Sequence, residues 1–179
     1  MDEGMNSPKT RIAIEEAFLS LLAENPFEDI TMNDILEATG ETQERVDSIY
    51  PTKRSIIIGF LDRLSDTVST KIISNLDDAL INENNLKRIL DFYEPYRTEL
   101  LSIEGAGLSD ILFDHALMLT EDLLAHTSAA EVDTVKYRYI TGGIFSTFMG
   151  WLTDEHHSDT QTFAKQQIKF IANDLKLDM

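Results

Sequence analysis

The chain has 179 residues, 42% of them apolar, and its 32 acidic side chains against 15 basic ones leave a formal charge of −17. That length suits one sizeable domain, or a small one joined to a medium one. The absence of cysteine excludes disulfides and thiolate chemistry, and no run of about 18 apolar residues exists to cross a bilayer.

Only four prolines and eight glycines occur, apolar residues recur at helical spacing, and no internal repeat stands out, so an all-α fold is predicted. Ser7-Pro8 starts the first helix as an N-cap followed by proline at the first helical position. Ile14, Ala17, Phe18, Leu21 and Leu22 form its apolar stripe, and Asn25-Pro26 ends it. The second helix has a capping box in Thr31 and Asp34 and a hydrophobic staple in Ile30 and Ile35. Gly40 fits the left-handed position that stops it, which gives a helix over Met32 to Thr39. Thr42 caps a third helix that buries Val46, Ile49 and Tyr50 and closes at Pro51. A fourth opens at Thr52 and carries Ile57, Leu61, Leu64, Val68 and Ile72 to about Asn75, a length of about 35 Å. Further helices are predicted over 85–102, 107–127, 131–153 and 160–175. The breaks fall at Gly105-Gly107, Thr127-Ser128 and His156 to Ser158.

Two short helices joined by the tight turn Ala38-Thr39-Gly40-Glu41 make a helix-turn-helix pattern, whose second helix lies in a major groove. The helix start near Thr31 aims amide donors at a phosphate, and Lys53 and Arg54 at the next helix start offer a second clamp. At this point residues 10–56, TRIAIEEAFLSLLAENPFEDITMNDILEATGETQERVDSIYPTKRSI, resemble the N-terminal domain of TetR-type transcriptional regulators. The resemblance lies in Ala17-Phe18, in Ile30 to Ile35, in Ala38-x-Gly40, in the capping Thr42, and in the aromatic Tyr50 followed by Lys53.

The resemblance implies a three-helix DNA-binding domain over residues 1–54, joined by a long helix to a ligand-binding and dimerisation domain over 55–179. It further implies that Thr31 and Lys53 contact phosphates, with Met32 and Tyr50 beside them at the DNA-binding surface, and that Thr42, Gln43, Arg45 and Ser48 face the groove. Val46, Ile49 and Tyr50 would hold the recognition helix on its small core. The implied partners are double-stranded operator DNA, a second copy of the chain, and an unidentified small-molecule effector that alters the spacing of the two recognition helices. The missing signal segment in MDEGMNSPKTR sets the expected compartment as the cytoplasm, with no membrane partner.

The chain departs from the family pattern at four positions. Glu41 stands where an apolar residue is common, Asp47 where a backbone-touching tyrosine is common, Ile49 where a histidine is frequent, and Tyr50 where a phenylalanine is frequent. Residues 1–54 hold five basic and twelve acidic side chains, a net of −7. Glu44 is able to accept from the amino group of cytosine. The acids Glu15, Glu16, Glu24, Glu28 and Asp29 lie outside the recognition helix. The charge predicts DNA binding that is weaker and more salt-sensitive than is usual in the family. The alternative is a chain that keeps the fold as a protein-interaction or ligand-sensing module.

In AEVDTVKYRYITGGIFSTFMGWLTDEHH, one stripe takes in Val132, Val135, Tyr139, Gly142 and Gly143, with Met149 and Leu152 further on. Tyr137, Ile140, Ile144, Phe148 and Trp151 form a second stripe, so this helix is expected to be buried on two sides. With the last helix, which carries Ile168 and Ile171, it would form a four-helix interface in a homodimer. The plainer alternative is that both stripes are monomer core. Tyr93, Tyr96, Phe113 and His115 are candidate ligand contacts, as are Met118, Tyr137, Phe145 and Phe148; aromatic, Met and His side chains suit an apolar cavity with a few polar tips. Such residues at helical spacing also serve as ordinary core. Asp154-Glu155-His156-His157 holds metal-ligand types without an i, i+4 pair and reads as a solvated helix end. No nucleophile constellation and no glycine-rich phosphate loop is present, so no enzyme, metal or cofactor is expected.

Overall fold

The structure, a computed structural model, describes residues 7–75, 82–125 and 134–175. The described residues form α1 (Pro8–Glu24), α2 (Met32–Thr39), α3 (Gln43–Ile49), α4 (Lys53–Lys71), α5 (Glu83–Tyr93), α6 (Arg97–Gly105), α7 (Ser109–Ala125), α8 (Thr134–Thr153) and α9 (Thr160–Leu175). Among them there is no strand. The all-α expectation holds.

The chain divides into two compact units. One runs through Leu64 and takes in Thr98–Leu112; the other comprises Ser65–Arg97 and the chain from Phe113 onward. In the first, Ile14 and Phe18 of α1, Ile35 of α2, Val46 of α3, and Ile56 and Ile57 of α4 are all fully buried. Each such side chain contributes about 1.5–3 kcal/mol relative to exposure. In the second, α9 packs chiefly on α5. Thr160 Oγ1 donates to Asp91 Oδ1 at 2.6 Å, and Trp151 stacks on Phe163 with ring centres 5.0 Å apart.

Helix starts and stops follow the local chemistry. Ser7 caps α1 by accepting from Thr10 N at 3.2 Å. Thr31 and Asp34 form the complete capping box of α2, and Gly40 stops that helix at φ 69°. The left-handed backbone there costs a residue with a Cβ about 1–2 kcal/mol. The helix expected over 85–102 is broken. α5 ends at Tyr93, a 3-10 turn spans Glu94–Tyr96, and α6 begins at Arg97. Pro95 is the cause, since its ring excludes the N–H that a continuous helix needs. The fourth helix ends at Lys71 and finishes in a 3-10 turn over Ile73–Asn75. The expected break at Thr127-Ser128, and Val132, lie outside the described residues.

Burial divides the residues expected at a self-association face. Met149, Ile168 and Ile171 are buried within the monomer, whereas Val135 and Tyr139 are 74% and 71% exposed. Helix geometry explains the division. At about 100° per residue, Met149 stands about 80° and Leu152 about 140° away from Tyr139, so they never shared its face. Ile168 and Ile171 line the buried side of α9, which α5 covers; Phe170, on the same helix, is 64% exposed. Gly142 is half-buried and Gly143 exposed, and a Cβ at either would meet nothing within 4 Å.

Candidate nucleic-acid interface

α3 is seven residues long, and one turn of it faces inward. Val46 and Tyr50, four apart, are buried at 0% and 4% exposure, and Ile49 is half-buried. Gln43, Glu44, Asp47 and Ser48 are therefore turned outward, and all four are exposed. Thr42 is exposed as well and caps the helix by accepting from Arg45 N at 3.4 Å. Ser48 Oγ donates back to the Arg45 carbonyl at 2.8 Å.

The α2 start is capped on both sides, and its cap is acidic. Thr31 N and Thr31 Oγ1 donate to Asp34 Oδ2 at 2.7 and 2.8 Å. These bonds, the backbone one foremost, hold the Asp34 carboxyl below its usual range. The Thr31 hydroxyl proton is thus already engaged by a carboxylate. Met32, the first residue of α2, is half-buried. A cleft of about 560 Å³ on this unit includes Asp29, Asp34 and Glu37 in its lining, a further acidic feature the sequence reading did not single out.

The three cations expected at DNA have protein partners. Arg45, the one basic residue of α3, reaches back to α1, donating from Nη2 to Thr10 Oγ1 at 2.7 Å; its Nη1 lies 3.4 Å from Glu41 Oε2. Lys53 Nζ donates to the carbonyls of Phe27 and Ile30, the latter at 2.7 Å, and lies 4.2 Å from the Phe27 ring centre. Lys53 thus clasps the turn after α1, one peptide before Thr31. An ammonium has three protons, and two of these are taken by carbonyls. Arg54 pairs with Asp110 at 2.5 Å, which lowers the Asp110 carboxyl.

Tyr50 is not at the surface, contrary to its expected place at DNA. Its hydroxyl donates to Glu15 Oε1 at 2.6 Å, and Glu15 Oε2 accepts from Arg63 Nε at 2.7 Å. Burial, with the Glu15 carboxylate beside it, pushes the Tyr50 phenol well above its ordinary range. Glu15 is itself only 1% exposed, and a Cβ at Gly59 would lie 2.5 Å from the Tyr50 ring. Neither Glu15 nor Gly59 was expected at this site. A signal existed for Glu15: on the wheel of α1 it falls between Leu22 and Leu19, inside the apolar arc.

In the second unit, three of the candidate ligand contacts come together. His115 is buried with Nε2 2.9 Å from Tyr93 Oη and Nδ1 2.9 Å from Ser65 Oγ. Tyr93 packs edge-on against Phe148 at 6.2 Å. Burial lowers His115 to about 4 and pushes the Tyr93 phenol up, so the imidazole is neutral near pH 7. Phe113 and Phe145 form a separate edge-to-face pair at 5.5 Å. Tyr96 reaches Tyr93 through Phe92, and Tyr137 donates its hydroxyl to the Leu117 carbonyl. Met118 is 56% exposed and lines no interior.

No family model and no curated protein matches the sequence. Solved structures do. A TetR transcriptional regulator from Streptococcus agalactiae is 18% identical, with a TM-score of 0.66 over 91% of this chain and 93% of that one. GusR of Salmonella enterica is 17% identical at a TM-score of 0.69, covering 96% of this chain and 98% of its own. NalD of Pseudomonas aeruginosa, described as the secondary repressor of the MexAB-OprM multidrug efflux pump, is 20% identical at 0.60, covering 94% and 98%. These likenesses show the fold, which is the all-helical fold of TetR regulators.

Proposed function

We propose that this chain, with its TetR regulator fold, is a TetR-like transcriptional regulator, most simply a repressor, that binds operator DNA as a homodimer and is modulated by a small ligand. The observation that carries this is the α2–α3 pair: two capped helices around a left-handed Gly40, the second of them held by Val46 and Tyr50 while Gln43, Glu44, Asp47 and Ser48 face outward. Helix-turn-helix recognition uses such an outward face, read from its N-terminal residues. DNA contact is assigned to elements within residues 1–54, and ligand binding and self-association to 55–179. The exposed Val135, Tyr139 and Phe170 support self-association through α8 and α9. The neutral His115 and Tyr93 are the polar groups we assign to the effector site. A place in the cytoplasm follows from the role. Among the described residues no helix is long and apolar enough to cross a membrane.

A second reading has its own support. Arg45 and Lys53 are engaged within the protein while Glu44 and Asp47 stand exposed, so the outward face of α3 is acidic. That arrangement suits a protein-interaction or ligand-sensing module of the same fold with weak or lost DNA binding. The discriminating experiment is titration of the chain's own promoter fragment at several salt concentrations, for wild type and Asp47→Tyr. The regulator reading expects a specific complex at low salt and a tighter one for the variant. No complex from either protein, both folded, counts against the regulator reading and favours the interaction module.

A further inference from the structure

We propose that Glu15 is a positioning residue for α3: its buried carboxylate, shared between Tyr50 Oη and Arg63 Nε, sets the angle at which α3 presents Gln43, Glu44, Asp47 and Ser48. The role as a DNA reader rests on the function proposed above; the positioning itself does not.

Tyr50 is the residue that ends α3, its backbone N–H closing on the Val46 carbonyl at 2.7 Å. Its ring lies against α4 where Gly59 leaves room that a single methyl group would fill. Its hydroxyl reaches α1 at Glu15, 2.6 Å away, and the other oxygen of that carboxylate reaches α4 at Arg63, 2.7 Å away. Arg11 of α1 stands 5.9 Å from the ring centre. The C-terminal end of the reading helix is therefore fixed from α1 and α4 at once, by bonds that have direction. Apolar contact alone has none: it tolerates a ring sliding or turning in its slot.

Stability alone is a weak reason for the arrangement. A buried carboxylate in an ion pair is often matched or bettered by an apolar side chain of the same shape. Phenylalanine at 50 with methionine at 15 would fill the same space with no buried charge. What that pair would lose is the directional link from the C-terminal end of α3 to α1 and α4. Val46 is the one fully buried side chain of this seven-residue helix, and the Arg45 bond to Thr10 of α1 holds its middle, which leaves its C-terminal end to Tyr50.

The test compares the full-length wild type with the double variant Glu15→Met/Tyr50→Phe by hydrogen exchange without DNA, at matched thermal stability. The expected result is exchange about tenfold faster at the Val46 and Tyr50 amides, the factor that 1.4 kcal/mol corresponds to, with α1 and α4 unchanged. Equal exchange in α3 overturns the proposal. Should the double variant fail to fold, Tyr50→Phe alone, which removes one oxygen atom, is expected to speed the same two amides, and its failure to do so is equally decisive against. A parallel arm measures binding to a preferred and a scrambled duplex. The double variant is expected to lose about tenfold in the ratio of the two affinities while keeping its salt dependence, which counts phosphate contacts. Loosened α3 amides in a chain that prefers no duplex even as wild type would remove the DNA reading and leave Glu15 as the residue that positions α3.

Discussion

Replacing Gly59 with alanine isolates the fit between α4 and the ring of Tyr50. In an ordinary helix interior the change is favourable by about 1 kcal/mol, because alanine is the better helix former. Here the new Cβ would sit 2.5 Å from Tyr50 Cε1, 2.6 Å from its hydroxyl oxygen and 2.8 Å from Cζ. The ring cannot yield freely, since it is 4% exposed and its hydroxyl is bonded to Glu15. Overpacking of this kind costs about 1–3 kcal/mol. If the ring moves instead, the Glu15 oxygen loses its partner in a buried site, at a further cost of about 1–3 kcal/mol. The expected net loss is about 2 kcal/mol, or a fall in Tm of about 4–8 °C for a chain of this size. Thermal unfolding followed by circular dichroism measures it. In a Tyr50→Leu background the same substitution should be neutral or stabilising, so the two changes are strongly non-additive. A rise in Tm for Gly59→Ala in the wild-type background would refute the close packing of Tyr50 on α4.

Three further predictions address the other elements. His115 is held down to about 4 by burial, below its ordinary 6.5, so the unfolded chain binds the extra proton between those values. Stability should be intact above about 6.5 and fall by about 1.4 kcal/mol per pH unit on acidification toward 4. His115→Gln should flatten that part of the pH–stability curve measured by urea unfolding, and an unchanged slope would contradict the burial of a neutral imidazole. Lys53→Met keeps an apolar stem over Phe27 but removes the bonds to the Phe27 and Ile30 carbonyls; a loss of about 2 kcal/mol is expected from charged hydrogen bonds of this kind, and an unchanged unfolding midpoint would mean that the clasp contributes nothing. Tyr139→Glu places a charge on the exposed face of α8 without touching the core. It should shift sedimentation from dimer toward monomer, and an unaltered dimer would move the self-association surface elsewhere.

Most of the fold was legible because its signals are local. Ser7-Pro8, Thr31 with Asp34, Gly40 and Thr42 each define a helix boundary within four residues of themselves, and each boundary stands where the sequence places it. The outward face of α3 was legible for the same reason, since the spacing of Val46 and Tyr50 fixes which side is left over. What escaped was chemistry between distant segments. Arg45 read as a DNA contact through the family resemblance and Lys53 through that and its place at a helix start, but their partners, Thr10 and the carbonyls of Phe27 and Ile30, lie 23 to 35 positions away. Tyr50 read as both core and contact; only the carboxylate of Glu15, 35 positions distant, makes it wholly core. Gly59 carries no pattern at all until the Tyr50 ring is seen beside it. Pro95 and the wheel position of Glu15 were visible in the sequence and simply outweighed, one by the surrounding helical spacing and the other by the general acidity of the chain.

Two copies of the α3 face are proposed to read a duplex. Selection of bound duplexes from a random-sequence pool by the intact protein at low salt tests it most directly. The expected outcome is an enriched, two-fold symmetric sequence whose half-sites lie about one helical turn, or a multiple of it, apart. A folded protein that enriches no sequence would contradict it.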